Sequence, residues 1–386
     1  MLDFTSALYL GLHHESRALA PWECLSSGRP AALGEPEESA EVARALARLA
    51  GAPRALLSPS TLHLFFDVFG ALAPGAGVLL WDEGSYPVAR WALERAAARG
   101  VPARGFAHHR PEALQRQLQQ AAGGRALVLV DGFCAGCGRA APLARYLELL
   151  RPCGGLLVLD DTQALGVWGT PRAGSAYGAG GGGSLRRAGV GGPQVLWCAS
   201  LAKAFGVPLA VAAGSEACLA QMEERGETRV HCSPPSLAVL RAAQRALALN
   251  AARGEALRAR LARRVRELRA RLAEAGLRAS GGLFPVQRLA LPDAVDPAAL
   301  EGRLRRRGVR AVLQRGRCGP RRSVSLLLTA RHTRSELEAG AAALAEALDG
   351  AQGTRKQAEV RDGEMVPARR RAAGSAAAGI RGWAAR

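Results

Sequence analysis

The sequence predicts an α/β protein with a mostly parallel central sheet, helices on both faces, and a smaller C-terminal α+β domain. Three observations carry this. Short apolar runs recur at Gly77–Asp82, Ala126–Asp131, Leu156–Asp160, Gln194–Ser200 and Leu209–Ala213, the length of buried strands. Helical patterns at Pro87–Arg99, Pro111–Ala121 and Leu143–Arg151 alternate with the first of them, as parallel strands joined by crossover helices require. A long helical stretch, Leu237–Ala275, then leads to candidate strands Phe284–Leu291 and Ser323–Thr329, with helices at Pro297–Arg307 and Arg334–Leu348.

The organisation follows in chain order. Residues 1–45 form an N-terminal segment packing with the small domain, 46–245 the large domain and 246–349 the small one. Residues 350–386 turn basic and Ala/Gly-rich and are expected to be a disordered tail. Gly178–Gly192 is glycine-dense but lacks the G-K-[ST] ending of a phosphate loop, and is expected to be a flexible surface insertion.

Composition excludes several classes of function. The net charge of +19 is almost all arginine, spread over helices such as Arg258 to Arg271 without interleaved aromatics, so no nucleic-acid partner is expected. No uncharged apolar run approaches the ~18 residues of a membrane span. Met1 to Leu12 carries no basic leader, which points to a cytoplasmic protein. The 8 cysteines, without a secretory signal, indicate no disulfide framework. Cys134 and Cys137 form a lone C-x-x-C with no second pair and no histidine at ligand spacing, so no metal is expected there.

Lysine is nearly absent: Lys203 and Lys356 are the only two. Arginine can fill most cationic roles, but it stays protonated and does not condense with an aldehyde, whereas a lysine amine does. Lys203 lies in a small-residue turn, ASLAKAFG, after a candidate strand. Upstream, LLVLDDTQALG closes another apolar strand on Asp160. A carboxylate that keeps a pyridine nitrogen protonated, together with a Schiff-base lysine, is the arrangement of fold type I enzymes that use pyridoxal 5′-phosphate (PLP).

The resemblance extends to the α-oxoamine synthase family over most of Leu2 to Leu348, with the motifs in family order. LDFTSALYLGL, RALLSPSTLHLF, WDEGSYPVARWALE, FAHHRPEAL, DGFCAGCGRAAPL, DDTQALGVWG and SLAKAFG each match a family segment. The resemblance implies a fold type I PLP-dependent transferase with PLP held by Lys203 and Asp160. Ser200, Ser60, Thr61 and Leu62 would receive the phosphate, the last three at a helix start. Asp131 would lie behind the ring, Tyr86 would stack on it in place of a family histidine, and Gln163 would reach its phenolic oxygen in place of another.

The substrate side departs from the family. Ala7 stands for an asparagine, Ala135 for a serine facing the cofactor, and Ser325 for the arginine that grips an amino-acid carboxylate, while Thr329 and His332 keep that strand's register. Arg321, Arg322 or Arg331 would have to replace the lost grip. The resemblance implies decarboxylative condensation of an amino acid or amine with an acyl-CoA or acyl-carrier thioester, in a homodimer. An aminotransferase on the same scaffold, and a catalytically weakened homologue, remain open alternatives.

Overall fold

The computed structural model describes residues 1–121, 123–315, 318 and 322–363. Seven strands build the central sheet: β1 Arg54–Ser58, β2 Val78–Asp82, β3 Ala103–Phe106, β4 Ala126–Asp131, β5 Leu156–Asp160, β6 Val195–Ser200 and β7 Ala210–Gly214. They lie in the order β1-β7-β6-β5-β4-β2-β3. Every neighbouring pair is parallel except those made by β7, which runs antiparallel to β6 and β1. The chain between β6 and β7 is too short for a crossover helix, so it must return as a turn. That turn carries Lys203.

The helices α1 Glu37–Ala50, α2 Thr61–Leu72, α3 Pro87–Ala97, α4 Pro111–Gln119 and α5 Leu143–Leu150 cover both faces. β4 and β5 are buried along their whole length, which explains their unbroken apolar sequences. Alternate residues feed opposite cores. Leu129, Val158 and Leu196 join Phe65, Phe69 and Leu93 of α2 and α3, whereas Leu157 and Leu159 join Val42, Leu46 and Tyr146 of α1 and α5.

After β5 come α6 Ser184–Ala188, α7 Glu216–Arg225 and the long α8 Leu237–Glu274. The small domain holds β8 Arg278–Ser280, β9 Val286–Ala290, α9 Pro297–Arg306, β10 Val312–Gln314, β11 Ser323–Leu327 and α10 Arg334–Gly363. Its antiparallel sheet runs β8-β9-β11-β10. The N-terminus joins this domain: Leu2–Asp3 pairs with Val309–Arg310, and the Phe4 ring stacks on His332 at 4.9 Å.

Several expectations need correction. Residue 45 falls inside α1, which packs on β1 and α8, so that helix belongs with the large sheet. Residue 245 falls inside α8, a single helix shared by both domains. α10 continues past Leu348 to Gly363, into the stretch expected to be disordered; residues 364–386 lie outside the described residues. The glycine-rich segment is packed rather than a loose insertion, with Gly181 to Leu185 buried. Gly183 has φ 90°, and a Cβ there would run into the Asp161 carboxylate, so glycine is what lets this backbone close on β5. No helix among the described residues is long and apolar enough to cross a membrane.

Candidate active site

A cavity of about 190 Å³ opens at the carboxyl ends of β4, β5 and β6, where open α/β sheets bind ligands. Asp131, Asp160 and Ser200 line it from the strand ends, Lys203 and Ala202 from the β6–β7 turn, and Thr61 from the first turn of α2. Tyr86, Thr162 and Gln163 complete the wall.

Hydrogen bonds set this wall. Asp131 accepts the Tyr86 backbone N–H at 3.1 Å, which joins the start of α3 to the end of β4. Asp160 accepts the Thr162 N–H at 3.0 Å, and the Thr162 hydroxyl accepts the Ser200 N–H at 3.0 Å. Ser200 Oγ accepts the Ala202 N–H at 3.2 Å, so its own hydrogen remains for a ligand. Buried Tyr9 donates to Gln163 Oε1 at 2.6 Å, which leaves the Gln163 NH₂ as the group it can offer to the cavity.

Asp160 and Asp161 divide sharply. Side chains alternate across a strand and the residue that follows it, so Asp160 meets the cavity and Asp161 turns into the core with no exposure. Asp161 accepts from Trp197 Nε1 at 2.9 Å, and from the Ser184 N–H at 2.7 Å and hydroxyl. Burial pushes its carboxyl up to about 7 although the Ser184 and Trp197 hydrogen bonds oppose this.

Other expected site residues lie outside the cavity wall. Ser60 caps α2, its Oγ accepting the His63 N–H at 3.4 Å, and Leu62 is half exposed. Ser325 is fully buried in β11, and its hydroxyl has no hydrogen-bond partner among the described residues. Arg322 is exposed, and Arg321 lies outside the described residues. Sequence reasoning missed Arg288. It faces Ser325 across the β9–β11 pair and donates from Nη1 to the Gly136 carbonyl at 3.0 Å, while its buried Nε has no partner among the described residues. Only a register between strands could have marked it.

The C-x-x-C also differs from expectation. Cys134 and Cys137 are joined by His108 and Cys318, with all four ligating atoms within 4.8 Å of one another. The missing partners come from segments far away in sequence, so the spacing argument could not find them.

The architecture is that of the fold type I PLP-dependent transferases. The chain belongs to the aminotransferase class I and II family, whose model matches residues 2–359. An 8-amino-7-oxononanoate synthase from Yersinia enterocolitica is 30% identical over 317 residues, 80% of this chain and 78% of its own. One from Klebsiella pneumoniae is 30% identical over 361 residues, 90% and 89% of the two chains. In structure, the chain is similar to a serine palmitoyltransferase from S. paucimobilis with a bound PLP–myriocin aldimine, with a TM-score of 0.77 and 17% identity over 91% and 88% of the chains. An 8-amino-7-oxononanoate synthase from Francisella tularensis gives 0.71 and 17% over 90% and 98%. These relatives are α-oxoamine synthases, the family the motifs resemble.

Proposed function

We propose that this protein is a PLP-dependent acyltransferase that condenses an amino acid with an acyl thioester and releases carbon dioxide and the free thiol. The observation that supports it best is one cavity shared by Lys203, Asp160, Asp131 and the N-terminus of α2, in a chain 30% identical to 8-amino-7-oxononanoate synthases. The donor set suits PLP: an amine for its aldehyde, a carboxylate for its ring nitrogen, and helix N–H groups with two hydroxyls for its phosphate. When bound, PLP supplies an electron sink for the substrate α-carbon.

The chain's own groups do the rest. Asp160 holds the pyridinium proton at the ring nitrogen, kept in place by the Thr162 N–H. Lys203 would supply the amine for the cofactor's aldehyde and would carry protons to and from the substrate α-carbon. Thr61, Ser200 and the first N–H groups of α2 hold the phosphate. Tyr86 covers the ring, and Gln163 donates to its phenolic oxygen because Tyr9 occupies the opposite end of the amide. Arg288, rather than Arg321 or Arg322, grips the substrate carboxylate, and Ser325 provides the space beside it. The thioester is an acyl-CoA or an acyl-carrier conjugate. The working form is a cytoplasmic homodimer, in which the exposed Leu62, Tyr86 and Trp91 are covered.

Incubation with candidate amino acids and acyl-CoA should release thiol and carbon dioxide in equal amounts, each dependent on the other substrate. Keto-acid exchange without thiol release would instead establish the aminotransferase reading. Light scattering should give twice the chain mass; a monomer would remove the dimer from the proposal.

A further inference from the structure

None of His108, Cys134, Cys137 and Cys318 lines the cavity that holds Lys203. His108 follows β3, the two cysteines follow β4, and Cys318 lies between β10 and β11, so the cluster spans both domains. We propose that these four residues form a structural zinc site that fastens Cys318 of the small domain to the large domain.

The ligand set is complete and closed. Zinc takes four ligands tetrahedrally, and three cysteines with one histidine is a structural combination, whereas a catalytic site keeps a position open. Thiolate-rich donors also select zinc over magnesium or calcium. At zinc–sulfur and zinc–nitrogen lengths of about 2.3 and 2.0 Å, tetrahedral ligand atoms stand roughly 3.5–3.8 Å apart. Here Cys134 Sγ lies 3.0 Å from Cys318 Sγ, and His108 Nε2 lies 3.3 Å from Cys137 Sγ. To reach the metal geometry the Cys134–Cys318 pair must open by about 0.8 Å and the His108–Cys137 pair by about 0.2 Å. A disulfide would need sulfurs at about 2.05 Å.

The backbone is shaped for this. Phe133–Cys134 pairs with Arg139–Ala140 in a small hairpin, and the Gly138 N–H donates to the Cys134 carbonyl at 2.8 Å. Gly138, at φ 71°, turns the chain directly after Cys137, so both sulfurs of the C-x-x-C lie on one side. Gly136 leaves room for Cys318: a Cβ there would sit 2.9 Å from its Sγ.

The surroundings of His108 point to a metal as well. Its Nδ1 donates to Asp82 Oδ1, which directs Nε2 at the sulfurs. Asp82 is itself held by the Gly84 and His109 N–H groups at 2.8 and 2.9 Å. A carboxylate behind a histidine fixes the tautomer and raises ligand basicity at metal sites. Binding releases the three thiol protons to solvent and leaves His108 neutral, with its remaining N–H on Asp82. The zinc–trithiolate unit then carries one negative charge, and the Arg288 guanidinium lies on the same turn at the Gly136 carbonyl.

The test uses the full chain, purified in reductant without chelator. Elemental analysis should find zinc at one per chain. Growth with cobalt should give a thiolate-to-cobalt charge-transfer band and the visible bands of tetrahedral cobalt, a readout that needs no variant. His108→Ala and Cys318→Ser should lose the metal, and Asp82→Asn should weaken it about ten- to a hundredfold. Three results would overturn the proposal: no metal after loading the reduced protein with zinc, a Cys134–Cys318 disulfide in the protein as isolated, or zinc fully retained in both ligand variants.

Discussion

Arg288 stands directly across the antiparallel β9–β11 pair from Ser325, so the two side chains leave the sheet on the same face. Ser325 is the position at which the resemblance implies a carboxylate-binding arginine, and Arg288 places a guanidinium one strand over from it. Arg288→Ala should raise KM for the amino acid by roughly tenfold or more, since a hydrogen bond to a charged group contributes about 1.5–3 kcal/mol. The smaller change should be in kcat. Arg322→Ala, at an exposed position, should leave both unchanged. Steady-state kinetics of the pair decides, and equal effects would mean Arg288 is not the carboxylate group.

Adjacent Asp160 and Asp161 should fail in different ways. Asp160→Asn should retain PLP and fold normally but lose turnover by orders of magnitude, because a neutral amide does not hold the ring proton. Asp161→Ala should lower stability by about 2–4 kcal/mol, leaving the Trp197 and Ser184 donors buried and unpaired. Its PLP spectrum should be unchanged where it folds. Urea unfolding and turnover measured on both variants separate the roles.

Asp161 also predicts a pH dependence. Its folded value is raised from the usual 3.8 to about 7 by burial, so the folded state binds the proton more tightly than the unfolded state does. That contribution is complete below 3.8 and is lost as pH rises toward about 7. Asp161→Asn, which cannot ionise, should remove this slope. Unfolding free energies of wild type and variant across that window provide the check, and parallel curves would show that the carboxyl titrates normally.

Lys203→Arg keeps the charge and should abolish covalent attachment of PLP. Borohydride treatment followed by peptide mass spectrometry should find the modified peptide in wild type and not in the variant. Labelling elsewhere would mean a different lysine, and Lys356 is the only other one.

Tyr9→Phe tests the orientation of Gln163. The substitution deletes one hydrogen bond, worth about 1 kcal/mol of stability, and frees the amide to turn. The absorbance of the bound cofactor should shift as it does in Gln163→Ala, and the double variant should shift no further.

What was legible in the sequence was what local pattern encodes. β4 and β5 were found residue for residue, because strands buried on both faces need unbroken apolar runs. Asp160, Ser200 and Lys203, which line one cavity, stand out in the sequence because they end such strands or follow one. β3, with the sequence ARGF, was missed: it is short, half exposed and carries an arginine. The reversed direction of β7 gave no signal, since an apolar run carries no direction. Tyr9, Arg288, His108 and Cys318 were beyond reach for a common reason. Each acts on a residue far away in sequence, and only the folded register joins them.

The 38 residues of α8 form one uninterrupted rod of roughly 57 Å. Its buried Arg258 is bolted to the large domain through the Gly166 carbonyl at 3.0 Å, and Asn250 of the same helix, which accepts from Arg258 at 2.8 Å, donates to the Gly180 carbonyl at 3.0 Å. Toward its far end, Arg269 holds Ala279 and Gln287 of the small domain, each at 2.8 Å. Such a rod works as a crankshaft and sets an angle as well as a span. One residue deleted between Arg258 and Arg269 would turn everything beyond it by about 100° and shorten the reach by about 1.5 Å. Arg288 would swing away from Gly136 although neither residue had changed. The length of this helix therefore fixes where Arg288 of the small domain meets the large domain.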